Sequence, residues 1–135
     1  MNENRLFNNI SEIGCLLLKH GAEIYRVEES LLKMVKSYGY NQVEIFAIPS
    51  FFTMSITLDN HTTYTISKRS RNNKINLDSV YALNNLVRNI CEHQLSTEAI
   101  EHELTIINNT KVKMNLIFIG YGLTAGFFTI FFEKN

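Results

Sequence analysis

The sequence predicts an α+β domain that leads into an apolar helix. Apolar residues recur every three or four positions in the first third of the chain, and three short β-rich runs follow. Helical spacing then returns before an uncharged carboxyl-terminal stretch. The expected order is a long amphipathic helix, a three-stranded antiparallel meander, two helices and an apolar, transmembrane helix. We assign residues 1–110 to a cytoplasmic domain and residues 111–135 to the start of a membrane region.

The composition indicates one compact domain with no nucleic-acid surface. The chain has 135 residues, 45% of them hydrophobic, with 13 basic and 13 acidic side chains. A nucleic-acid interface normally needs clustered cations, which this balance does not indicate. Cys15 and Cys91 lie in apolar helical patterns without metal or redox spacing, so we expect reduced core thiols and neither a metal nor a cofactor.

The first helix is predicted over about residues 4–38, and it carries a carboxylate on its apolar face. A helical wheel places Glu28 in the middle of that face. A carboxylate among apolar side chains needs a cation or several donors. We therefore predict a structural ion pair between Glu28 and Arg69 or Arg71, with Lys68 as a further candidate. A role for Glu28 in binding a ligand or handling a proton remains the alternative.

Three β-rich runs follow this helix. Val43–Ile48 and Phe51–Leu58 are separated by Pro49-Ser50, which predicts a hairpin or a bent strand pair. Apolar and polar residues alternate in the second run, as expected for a sheet that is covered on one face. A threonine-rich third run, residues 62–67, completes the predicted meander.

Two further helices are predicted after the strands. Helical spacing resumes at Leu77, and Asn76 or Asp78 is suited to cap its start. Ser96 is a good N-cap for a short acidic helix, which we expect to end at Asn108-Asn109.

The stretch Met114–Phe132 contains no charged residue, and it predicts a membrane span. A helix of this length is roughly 28 Å long, close to the roughly 30 Å of the bilayer core. Lys111 and Lys113 precede it, and positive charge marks the cytoplasmic side. A buried core helix is the alternative. The cation-rich stretch Lys68–Lys74 is either a solvated loop or a contact with anionic lipid.

The string Gly21–Glu28 reads Gly-Ala-Glu-Ile-Tyr-Arg-Val-Glu. It resembles the Gly-Ala-Glu-x-x-Arg-Val-Glu signature in the first helix of the threonine/serine exporter family, which includes forms split over two polypeptides. The resemblance continues through the strand pair around Pro49, the arginine-rich stretch and the helix that ends near Arg88. It extends from about Leu16 to Phe132.

The resemblance implies a cell-membrane protein whose cytoplasmic region precedes several transmembrane helices, and it implies export of threonine, serine or related small metabolites. The expected partners are a small amino acid, further transmembrane helices or a partner membrane subunit, and a second copy of the chain. Family members usually continue into further spans after this point. This chain is therefore expected to be incomplete as a transporter on its own.

Glu23, Arg26 and Glu28 are the candidate residues for substrate binding or gating. An amino-acid zwitterion needs a carboxylate near its ammonium group and a cation near its carboxylate. Glu23 and Arg26 are expected to point away from the core and Glu28 toward it, which predicts two separate sites. The alternative function is a membrane-anchored hydrolase or a ligand-binding regulatory module, but the sequence has no hydrolase motif and no catalytic residue is assigned.

Overall fold

The computed structural model of the protein describes residues 2–121, with side chains described as far as Asn109. Four helices and one three-stranded antiparallel sheet of order β1-β2-β3 form the fold. The α+β class and the meander are therefore confirmed. In chain order the elements are α1 (Glu3–Lys19), α2 (Ile24–Ser37), β1 (Gln42–Ile48), β2 (Phe51–Thr57), β3 (Thr63–Arg69), α3 (Leu77–His93) and α4 (Thr97–Tyr121).

Among residues 2–121, the helices cover one face of the sheet, as predicted. Phe52, Met54 and Ile56 of the central strand β2 are fully buried beneath the helices. On the other face, hydroxyl groups pair across the strands, for example Ser55 with Thr65 at 3.1 Å. Such cross-strand pairs suit a face that meets water.

The single helix predicted over residues 4–38 is wrong, because the chain breaks at residues 20–23. Gly21 has a φ of 98°, a left-handed conformation that ends α1. The amide of Ala22 donates to the carbonyl of Leu17 at 2.9 Å and closes the last turn. The apolar period runs through the break because α1 and α2 both face the same core.

After the break, α2 folds back along α1. The Phe7 and Tyr40 rings meet edge to face at 5.1 Å, and the Tyr40 hydroxyl donates to Glu3 at 3.1 Å. A Cβ atom at Gly14 would lie 2.8 Å from a methyl carbon of Leu31, so this glycine permits the close approach of the two helices. The two glycines of this region thus have different roles: Gly14 allows the helices to pack closely, and Gly21 makes the turn.

The caps of α3 and α4 are as predicted, but the end of α4 is not. Asn76 accepts from the Ser79 amide at 3.0 Å, and Ser96 accepts from the Ala99 amide at 3.1 Å. The predicted end at Asn108-Asn109 is wrong, since α4 continues without a break to Tyr121. Asparagine in a helix costs at most about 0.7 kcal/mol relative to alanine, so two exposed asparagines do not end the helix.

Of the predicted apolar helix, residues 114–121 continue α4, and residues 122–132 lie outside the described part of the chain. Within residues 2–121, no helix has the length and apolar character that crossing a bilayer requires. Cys15 and Cys91 are free thiols and only half-buried, so they line the core rather than fill it.

An arginine that the sequence did not single out joins α1 to α4. The guanidinium of Arg5 donates to both carboxylate oxygens of Glu101, at 2.8 and 2.6 Å, and to Glu98 at 3.2 Å. Asn9 donates to Glu101 at 3.0 Å. The hydrogen bond from Arg5, followed by that from Asn9, lowers the pKa of Glu101 to about 2.

This lowered pKa predicts an acid-sensitive connection between α1 and α4. A carboxylate whose pKa falls from its usual 4.5 to about 2 on folding stabilises the fold above pH 4.5. That contribution declines as the pH falls from 4.5 toward 2. The difference in thermal unfolding midpoint between the protein and Glu101→Gln should therefore be largest at neutral pH and shrink through this range. A difference independent of pH would contradict the assignment.

The break at Gly21 gives a second prediction, with Gly39 as the matched control. Both residues have positive φ, 98° and 94°, and each alanine replacement should cost about 1–2 kcal/mol for that reason. A Cβ at residue 21 would also lie 3.1 Å from Ile75, whereas a Cβ at residue 39 meets nothing within 4 Å. Gly21→Ala should therefore reduce the free energy of unfolding more than Gly39→Ala in denaturant titrations.

In an Ile75→Ala background, Gly21→Ala and Gly39→Ala should cost about the same free energy of unfolding, because the Cβ at residue 21 then no longer collides with Ile75. Equal costs for the two alanine variants in the presence of Ile75 would show that the contact does not matter.

Candidate functional site

Glu23 and Arg26 lie on a groove between the start of α2 and the neighbouring face of α3. The groove has a volume of about 240 Å³. It combines an apolar wall with one acidic, one basic, one hydroxyl and one amide side chain. Its lining residues are Leu17, Gly21, Ala22, Glu23, Arg26, Ser30, Val80 and Asn84.

The break after α1 positions these two charged residues. Glu23 is the N-cap residue of α2 and has an extended backbone, and its carbonyl accepts from the amides of Arg26 and Val27 at 3.0 Å. Arg26 therefore lies in the first turn of α2. Ser30 follows one turn later, and both it and Asn84 of α3 are half-buried in the groove. Without the break, Glu23 and Arg26 would lie in the middle of one long helix.

Glu23 and Arg26 do not form an ion pair with each other within the described residues. Within the described residues neither side chain forms an ion pair. The guanidinium of Arg26 lies 6.0 Å from the centre of the Tyr25 ring, within cation–π range. Its pKa is raised, first by the Tyr25 side chain and then by the negative charges of Glu23 and Glu29. Arg26 is thus a permanent cation at the groove.

A second cavity of about 470 Å³ continues the groove along α2 and α3. Arg26, Ser30 and Asn84 line both cavities. The continuation also exposes Cys91, whose thiol pKa is raised by burial, so that it stays protonated at neutral pH. The thiol is therefore a poor nucleophile in this position.

Glu28 lies apart from the groove. Its carboxylate accepts from the amide of Ala47 at 2.8 Å, and in the part of the chain that the structure describes β1 is an edge strand of the sheet. In the described residues Glu28 makes no ion pair with Arg69 or Arg71, whose side chains are exposed. Glu28 thus joins α2 to the sheet through a backbone donor.

Replacing Glu28 should destabilise the protein because its hydrogen bond to the Ala47 amide is lost. Glu28→Ala removes a charge-assisted hydrogen bond and should cost about 1–2 kcal/mol, whereas Glu28→Gln retains an acceptor and should cost less. Glu29→Ala is the control, since it removes only an exposed pair with Lys33, worth about 0.3–0.5 kcal/mol. Urea unfolding measures all three, and a Glu28→Ala cost no larger than the control would contradict this role.

Among the residues that the structure describes, no group of three or more His, Cys, Asp or Glu side chains is placed to hold a metal ion. The groove thus offers charge, amide and hydroxyl groups as its means of recognition. Ser30 and Asn84 were not predicted as site residues. Their position depends on how α2 and α3 pack, and no motif in the sequence carries that information.

Comparison with known proteins decides the family. Residues 8–135 match the family model ThrE, described as "Putative threonine/serine exporter". This chain belongs to the threonine/serine exporter family. The match covers nearly the whole chain and confirms the resemblance noted at Gly21–Glu28. No curated protein and no solved structure matches it.

Membership associates this exporter-family chain with the membrane and with a small amino acid as cargo. Glu23 and Arg26 both fall within the matched residues and share one groove, whereas Glu28 of the same motif binds the sheet. The motif therefore divides into a part that lines the groove and a part that binds the sheet.

Proposed function

We propose that residues 1–110 form the cytoplasmic region of an exporter of threonine, serine or a related small metabolite, and that the groove at Glu23 and Arg26 holds the amino acid. The observation that carries this proposal is that one small groove is lined by a carboxylate and a guanidinium, neither of which forms an ion pair within the described residues. The transport path itself is formed with further transmembrane helices, of the same protein or of a partner subunit.

The groove suits the zwitterion of a hydroxyl amino acid. Arg26 matches the substrate carboxylate, because a guanidinium donates two parallel hydrogen bonds to a carboxylate. Glu23 matches the ammonium group. Ser30 and Asn84 supply a hydroxyl and an amide for the substrate side chain, and both are half-buried, so that water competes less for them.

A non-enzymatic role is part of the proposal. The alternatives were a hydrolase and a ligand-binding regulatory module. Nothing in the described residues favours hydrolysis in particular, and the Cys91 thiol has a raised pKa. A regulatory module would use the same groove. In that case the bound ligand would alter transport but would not itself be transported.

Binding of L-threonine tests the proposal. The full chain, purified in detergent, should bind L-threonine in isothermal titration calorimetry, and Arg26→Gln and Glu23→Gln should each weaken binding by roughly 10-fold or more. Lys36→Gln is the matched control, because Lys36 is an exposed cation of α2 outside both cavities. The control should bind as the unmodified protein does.

Unchanged affinity in Arg26→Gln would refute the groove as the site. Binding followed by release of a cleaved product, detected by mass spectrometry of the titrated ligand, would instead support the hydrolase.

A further inference from the structure

Exposed apolar side chains gather at one end of the domain. Ile75 and Leu77, in the segment before and at the start of α3, are 76% and 70% exposed. Tyr25 in the first turn of α2 and Ile48 at the end of β1 are also exposed. Within residues 2–109, the other large hydrophobic side chains that are exposed are Phe46, Tyr81 and Ile106.

Backbone hydrogen bonds place these segments together. Ser70 donates to the carbonyl of Ser50 in the β1–β2 turn at 2.8 Å, and Lys74 donates to the carbonyl of Lys19 at 3.0 Å. The segment that follows β3 therefore bridges from the β1–β2 turn to the end of α1. Gly21 lies directly beneath Ile75. The apolar side chains thus share one end, which we name the hairpin end after its β1–β2 turn.

The hairpin end also carries free cations. Arg69, Arg71 and Lys74 are exposed, and in the described residues none of them forms an ion pair. The exposed carboxylates near these side chains are Asp78 at the start of α3 and Glu23 at the start of α2. Exposed apolar side chains beside three cations complement an anionic bilayer surface, and tyrosine is enriched at membrane–water interfaces.

The direction of α4 brings the membrane region to the same end. A three-residue connection joins α3 to α4, and the two helices pack against each other, so they run antiparallel. α4 has 25 residues and α3 has 17, so α4 is longer by about 12 Å at 1.5 Å per residue. It therefore extends past the start of α3, and its sequence leads into the uncharged stretch Met114–Phe132.

We propose that the hairpin end is a membrane-contact surface: Ile75 and Leu77 enter the interfacial region, and Arg69, Arg71 and Lys74 bind anionic lipid headgroups. This contact goes beyond amino-acid binding in the groove. It sets the orientation of the domain relative to the bilayer and directs the Gly21 end of the groove toward the membrane.

The test is lipid quenching of a fluorophore on the full chain reconstituted in nanodiscs. Bimane is attached at Leu77→Cys, or at Asp59→Cys as the matched control, in a background carrying Cys15→Ser and Cys91→Ser. Asp59 is exposed in the β2–β3 turn, at the opposite end of the sheet. Circular dichroism checks the fold of each variant. The nanodiscs contain brominated phosphatidylcholine with or without phosphatidylserine, whose negative charge attracts polybasic segments.

The proposal expects quenching at residue 77 and none at residue 59, with stronger quenching when phosphatidylserine is present. The combined charge reversal Arg69→Glu, Arg71→Glu and Lys74→Glu should abolish the quenching, because each cation contributes roughly a five-fold factor to membrane association. If bimane at residue 77 were as exposed to water as bimane at residue 59, the proposal would be overturned. So would equal quenching in neutral nanodiscs, or shielding from water without quenching, which would indicate a protein partner instead.

Threonine titrations on the same variants separate this proposal from the groove. The charge-reversed protein should retain its affinity for L-threonine, since none of its three changed residues lines the groove. If threonine affinity and quenching were lost together, the charge reversal would have damaged the fold. The three cations would then have no separate role in lipid binding, which contradicts the proposal.

Discussion

The fold depends on a short backbone pairing between the end of α1 and the segment that precedes α3. Lys74 and Asn76 donate to the carbonyls of Lys19 and His20, each at 3.0 Å, and the His20 ring lies 3.2 Å from the Lys74 carbonyl. These bonds satisfy carbonyl groups that a helix end leaves unpaired. They therefore stabilise the turn at Gly21, although the apolar spacing of the sequence would suit one continuous helix.

Three features of the protein follow from that break. The second helix turns back so that Glu28 reaches the edge of the sheet and binds the Ala47 amide. Glu23 becomes the N-cap of α2, and with Arg26 it borders the groove toward α3. Ile75 is displaced outward over Gly21, where it becomes the most exposed large apolar side chain among residues 2–109. The contact of α2 with the sheet, the groove and the exposed position of Ile75 all depend on the break at Gly21.

The sequence predicted the sheet well because alternation along β2 specifies which face is buried. It failed at Gly21, since periodicity reports only which side meets the core, and α1 and α2 meet the same core from two directions. A helical wheel that runs across this break assigns Glu28 to a face shared with α1, whereas α2 brings Glu28 to the edge strand β1. The clamp of Arg5 on Glu101 joins residues 96 positions apart, and no local pattern encodes such a contact.

The break itself can be measured by double electron–electron resonance between spin labels at Asn8 and Lys36, two exposed helix positions. One continuous helix would separate these positions by about 42 Å at 1.5 Å per residue. The structure predicts a much shorter distance, because Tyr40, four residues beyond Lys36, contacts Glu3 and Phe7 near the start of α1. A distance near 42 Å would contradict the folded-back arrangement, and with it the groove that carries the proposed function.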